Sequence, residues 1–129
     1  MRGGDNVNIR IFWGTGSMVV DADAILDELT LTAFKKWCKL FIRHGEPSDH
    51  SALLAYCVEK MQKQKEIVQG FEGEIREFQG KIDGTIPTVM AKKYLREEIR
   101  LKQRHRNGAA QKLTRLEKKY TYLKEVLNL

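Results

Sequence analysis

Residues able to do acid–base or metal chemistry are few and scattered along the 129-residue chain. The three histidines are His44, His50 and His105. His44 and His50 flank one loop with Glu46 and Asp49 close by, but they lack the i, i+4 spacing that places two ligands on one helix face. Solvated loop histidines are the expectation, and no metal site. His105 stands in Lys102-Gln103-Arg104-His105-Arg106, where it suits an accessory hydrogen-bonding or stacking role. Cys38 and Cys57 sit inside apolar helical patterns with no Cys or His at zinc spacing, so two buried, reduced thiols are expected. The carboxylates Glu72, Glu74, Glu77, Glu97 and Glu98 read as exposed helix residues paired with nearby cations. No nucleophile elbow or Ser-His-Asp arrangement occurs, and Gly14-Thr15-Gly16-Ser17 lacks the Lys-Ser/Thr of a phosphate loop. The expectation is a non-enzymatic protein with no catalytic residues and no cofactor.

Charge carries the stronger signal. Residues 1–90 hold 11 Lys/Arg against 13 Asp/Glu, whereas residues 91–129 hold 12 against 4. The whole basic excess of the +6 chain therefore lies in its last part. Lys92, Lys93, Arg96, Arg100, Lys102, Arg104, Arg106, Lys112, Arg115, Lys118 and Lys119 are the candidate nucleic-acid contacts. Phosphate binding by such a tract releases counterions and weakens steeply with salt. An acidic protein surface is the other natural partner.

The elements that would position these residues are helical. Residues 1–17 stand apart: Val7, Ile9, Ile11 and Trp13 alternate as in a short strand, and Gly14–Ser17 reads as a linker before Met18. This segment is taken as a leader or flexible arm. Asp21 or Asp23 can cap a short turn holding Ile25, Leu26 and Leu29. Thr30 or Thr32 then opens a helix whose apolar face is Phe34, Trp37, Cys38, Phe41 and Ile42, ended by Gly45. Ser48 or Asp49 caps a second helix bearing Leu53, Leu54, Cys57, Val58 and Met61. Ile67, Phe71, Ile75, Phe78 and Ile82 continue a helical seam through Gly70, Gly73 and Gly80, with a possible break near Gln69-Gly70. Gly84 and Pro87 separate this from a last segment starting near Thr88, whose first apolar stripe is Met90, Tyr94, Leu95, Ile99 and Leu101. Asn107-Gly108 is either a turn or a tolerated weak point in one helix. Leu113, Leu116, Tyr120, Leu123 and Leu127 then repeat at three and four, a seam suited to a partner helix. The fold class is all-α: a small helical bundle over 18–84, and over 85–129 a long basic C-terminal helix or helical hairpin, coiled-coil-like.

Lys35-Lys36-Trp37-Cys38-Lys39-Leu40, followed after a short loop by Asp49-His50-Ser51-Ala52-Leu53-Leu54-Ala55-Tyr56, resembles the first two helices of a PWI-like domain of nuclear RNA-binding proteins. Ile75 and Phe78 extend the likeness, and Lys36-Trp37-Cys38 stands where the family has its Pro-Trp-Ile. The resemblance implies a bundle of about four helices acting in RNA processing or turnover, with nucleic acid bound through an adjacent basic segment.

Together these readings lead to an intracellular, more nuclear than cytoplasmic, adaptor that binds nucleic acid, RNA before DNA. The alternative is a protein-interaction or self-assembly module, a homodimer or heteromer, built on the leucine seam. A phage or bacterial assembly chaperone is the remote reading. No run approaches the roughly 18 apolar residues of a membrane span, so no membrane partner is expected. Trp37 is expected in the core, and Tyr122, off the seam, at the surface.

Overall fold

A computed structural model describes residues 8–13, 16–45, 47–84 and 88–127, with side chains from residue 21 onward. Val7, Gly14, Thr15, Glu46 and Pro87, named above, lie outside the described residues. The alternating N-terminal pattern forms a two-stranded antiparallel hairpin, β1 (Asn8–Trp13) and β2 (Gly16–Asp21). Its register runs from Asn8 opposite Asp21 to Trp13 opposite Gly16. Met18 faces Ile11 in mid-strand, and Gly16 and Ser17 belong to β2. The expected division at 17/18 therefore cuts a strand whose backbone groups pair across the hairpin.

After β2, the Asp21 carboxylate accepts the Asp23 N–H at 3.1 Å. A single π-helical turn, Ala24–Glu28, then buries Ile25 and Leu26. Helix α1 (Leu31–His44) starts where the Thr30 hydroxyl accepts the Ala33 N–H at 3.2 Å. It stops at Gly45, whose N–H donates to the Phe41 carbonyl at 2.7 Å. A side chain there would meet that carbonyl oxygen at 2.6 Å and the Phe41 ring at 2.9 Å, so glycine is what lets the chain turn tightly over Phe41.

Helix α2 (Pro47–Asp83) opens on Pro47, whose missing N–H costs nothing in a first turn. It runs unbroken through Gly70, Gly73 and Gly80, so the break considered at Gln69-Gly70 does not form. Helix α3 (Val89–Val126) is capped by the Thr88 hydroxyl, which accepts the Ala91 N–H at 3.0 Å. It passes through Asn107-Gly108 without a turn. The direction reverses between α2 and α3 instead. Packing of an apolar face overrides a weak residue, because glycine costs a helix only about 1 kcal/mol. A methyl group at Gly70 or Gly108 would meet nothing within 4 Å. Gly108→Ala is therefore expected to stabilise the chain by roughly 0.5–1 kcal/mol, read as a higher urea midpoint. An unchanged or lower midpoint would mean that the helix does not persist there in solution.

The protein is thus all-α in its body, with helices carrying two compact units. One comprises residues 1–61 and 114–129, the other residues 62–113. The expected division at 84/85 falls at the reversal between α2 and α3, whereas each compact unit draws on both helices. In the first unit, Ala22, Ile25, Leu26, Phe34, Cys38, Phe41, Leu53, Cys57, Leu116 and Leu123 form one buried cluster. Phe34, Trp37 and Phe41 stack along α1, with centroids 6.1 and 4.7 Å apart. The π turn is fastened to α2 by Lys60, which donates to Asp23 and Asp27 at 2.8 Å each, and by the Tyr56 hydroxyl, which donates to Asp23 at 2.6 Å. In the second unit, residues 62–83 of α2 and 89–113 of α3 lie antiparallel. The Gln64 amide donates to the Ala109 carbonyl at 3.0 Å, Phe71 meets His105 at 5.6 Å, and Lys102 pairs with Glu74 at 3.0 Å.

Candidate nucleic-acid interface

In the second unit, Leu95 and Ile99 are the buried positions of α3, which turns the opposite side of the helix to solvent. At 3.6 residues per turn, Lys93, Arg96, Arg100 and Arg104 fall within about 80° of arc and rise over about 16 Å. All four are exposed, and none forms an ion pair among the described residues. The unit carries 12 Lys/Arg against 7 Asp/Glu, while the first unit is nearly balanced at 11 against 10. The four side chains make a ridge of cations with the single acid Glu97 beside them. They are spaced about one helical turn apart, a spacing of about 5–6 Å that suits successive phosphates on one strand.

The other candidates divide. Lys102 spends its charge on Glu74. Arg106 is half-buried and donates through Nε and Nη2 to the Asn107 side-chain oxygen at 3.2 and 3.0 Å. Lys92 and Lys112 are half-buried and leave the ridge direction. In the first unit, Arg115 and Lys118 are exposed, but Lys119 is buried at 2 % exposure. Its ammonium donates to the Leu26 carbonyl at 2.6 Å and lies over the Phe34 ring at 5.8 Å. Assigning Lys119 to a phosphate face is therefore corrected: it is an internal strut joining α3 to the π turn.

The leucine seam is corrected too. Leu116 and Leu123 belong to the core cluster, and Tyr120 and Leu127 pack against it. Leu113 is half-buried in the other unit. The seam is covered by the chain's own α1, α2 and π turn, so it offers no free face to a partner helix. The large apolar side chains left exposed on α3 are Val89 (82 %), Met90 (75 %), Tyr94 (60 %) and Leu101 (40 %), the last three from the apolar stripe read in the sequence, of which Leu95 and Ile99 alone are buried.

Two further expectations change. His50 is not a solvated loop residue: it lies in the first turn of α2, its Nε2 is 2.9 Å from the Phe41 carbonyl, and its ring stands edge-on to Phe41. Tyr122 is half-buried, edge-on to Phe34 at 6.4 Å, with Lys35 over its face. Cys38 and Cys57 are free, buried thiols as expected, and burial pushes them up to about 12 and about 11. Sequence reasoning missed the Lys60, Tyr56, Asp23 and Asp27 cluster. Its one signal was the Asp23 and Asp27 pair, at the i, i+4 spacing of a single helical turn.

Among the described residues, no three His, Cys, Asp or Glu side chains converge to hold a metal, and no helix is long and apolar enough to cross a membrane. No protein-family model matches the chain, and no curated protein or solved structure gives a significant match. What the fold defines is an all-α protein with a cationic ridge on one helix.

Proposed function

We propose that the chain is a non-enzymatic nucleic-acid-binding adaptor that grips the backbone of RNA with Lys93, Arg96, Arg100 and Arg104. The observation that carries this reading is the exposed cationic ridge, four like charges in one row that form no ion pair among the described residues and have one acid, Glu97, beside them, which leaves a net positive face for an anion. Arginine dominates the row, and its planar fork suits phosphate oxygens. The likeness of residues 34–78 to PWI-like helices points to the same class of partner. Contacts of this kind position a backbone and carry no base sequence.

The test is fluorescence anisotropy with a labelled single-stranded RNA and an RNA duplex at two salt concentrations. With four phosphates neutralised on a single strand, affinity should fall about fiftyfold between about 50 and 200 mM salt. The quadruple variant K93Q/R96Q/R100Q/R104Q, with an unchanged circular-dichroism spectrum, should lose most of the affinity and most of the salt slope. No binding at low salt, salt-independent binding, or full affinity in the quadruple variant would overturn the proposal. Absent RNA binding combined with a concentration-dependent mass in sedimentation would assign exposed Val89, Met90, Tyr94 and Leu101 to a protein contact instead.

A further inference from the structure

Lys119 poses a problem that its role as a strut does not resolve. The residue is 2 % exposed, and its ammonium, with three N–H donors and a full charge, donates one bond to a neutral carbonyl and lies over the Phe34 ring. No carboxylate pairs with it among the described residues. Asp27, the acid whose field reaches it, gives its oxygen to Lys60. A buried cation without an anion is expensive.

Beside it lies a cavity of about 240 Å³ lined by Leu29, Thr30, Leu31, Arg115, Lys118 and Lys119. Its lining holds two leucines, one threonine, three cations and no acid. The first turn of α1 borders it and adds the positive end of the helix dipole. The neighbouring groove of about 380 Å³ differs, because Glu117 and Glu125 stand in its wall and would repel an anion. For scale, an apolar cavity of about 150 Å³ takes up benzene.

We infer that this cavity binds a small carboxylate carried on an apolar body, such as a medium-chain fatty acid, with its tail against Leu29 and Leu31 and its head among Arg115, Lys118 and Lys119. The carbon-rich wall accounts for the tail, and the three cations account for the head. An inorganic anion would leave the leucines facing water, and a neutral lipid would leave the buried charge unanswered. The site uses none of the four ridge residues, so it stands or falls separately from RNA binding.

The probes are sodium octanoate, 1-octanol and inorganic phosphate, titrated into the full chain and followed by backbone-amide NMR and calorimetry. Octanoate should shift the amides of residues 29–31 and 115–119, while octanol and phosphate bind at least about tenfold more weakly. R115E/K118E changes two exposed residues and should keep the fold, yet weaken octanoate about tenfold or more. Leu31→Trp, which fills the cavity, should abolish the shifts. Octanoate at millimolar concentration leaving these amides unmoved would overturn the inference. So would octanol or phosphate binding as tightly, or a folded R115E/K118E chain with unchanged affinity.

Discussion

Leu123→Asp should unfold the first compact unit. Leu123 is fully buried with Leu116, Phe34, Phe41, Leu53 and the two thiols. Truncating such a leucine to alanine costs about 2–5 kcal/mol. Aspartate adds the cost of desolvating a charge, which the buried Lys119 ammonium one turn earlier offsets only in part. Against a net stability of about 5–15 kcal/mol, the sum removes most or all of the folded population. Leu101→Asp is the control, since Leu101 lies on the same helix at 40 % exposure. That change should fall within about 0.5 kcal/mol of the parent. Thermal melts by circular dichroism separate the two. If Leu123→Asp melts like the parent and only its sedimentation mass changes, the seam is an intermolecular interface and the burial described above is wrong.

Stability should also collapse in alkali, beginning near pH 9. Burial raises Cys38 from 9.0 to about 12 and Cys57 from 9.0 to about 11. Burial and the bond to Asp23 raise Tyr56 from 10.0 to about 12. Above pH 9 the unfolded chain releases thiol protons that the folded chain keeps. The unfolded state then binds fewer protons, so stability falls as pH rises. Lys60 acts in the same direction. Burial alone would lower it, but its hydrogen bonds to Asp23 and Asp27 hold it above 10.5. Its contribution is complete below 10.5 and vanishes as pH passes its folded value. Lys119 has the opposite sign: burial lowers it, so its cost is relieved as pH climbs toward 10.5. By pH 11 the two thiols together remove on the order of 5 kcal/mol of stability, about 2–3 each, and the loss is complete only as pH passes their folded values. The urea midpoint should be level from pH 6 to about 8.5 and fall steeply beyond it. C38A/C57A should start lower, from lost packing, but show a shallower alkaline slope. A level midpoint to pH 11, or an unchanged slope in the double variant, would show that the thiols are not held protonated in the core.

Local rules located most of the elements. Thr30 opens α1 and Gly45 closes it because a hydroxyl can satisfy a first-turn N–H and a glycine can approach the Phe41 carbonyl. Phe34, Cys38 and Phe41 occupy the buried face that their spacing predicts. The alternation over residues 9–13 does form a strand. Continuity through Gly70 and Asn107-Gly108 was not legible, because propensity weighs one residue and the packed face of a 37- or 38-residue helix outweighs it. Nor could the basic tract be sorted. Lys93 and Lys119 are the same residue type in the same helix, one exposed and one buried under the π turn.

The sequence by itself determined the helical class, the starts of α1 and α3, the reduced thiols and the basic excess, since each follows from neighbours a few positions apart, whereas α2 starts at Pro47, ahead of the Ser48 or Asp49 expected to cap it. Tertiary structure decided which cations face water, that the leucine seam is spent on the chain's own core, and that a buried ammonium borders a cavity. Those outcomes depend on residues 33 to 93 positions apart meeting, as Tyr56 meets Asp23 and Lys119 meets Leu26. No short window of sequence contains such a meeting. It is set by where α2 reverses into α3 and by which faces then close on each other.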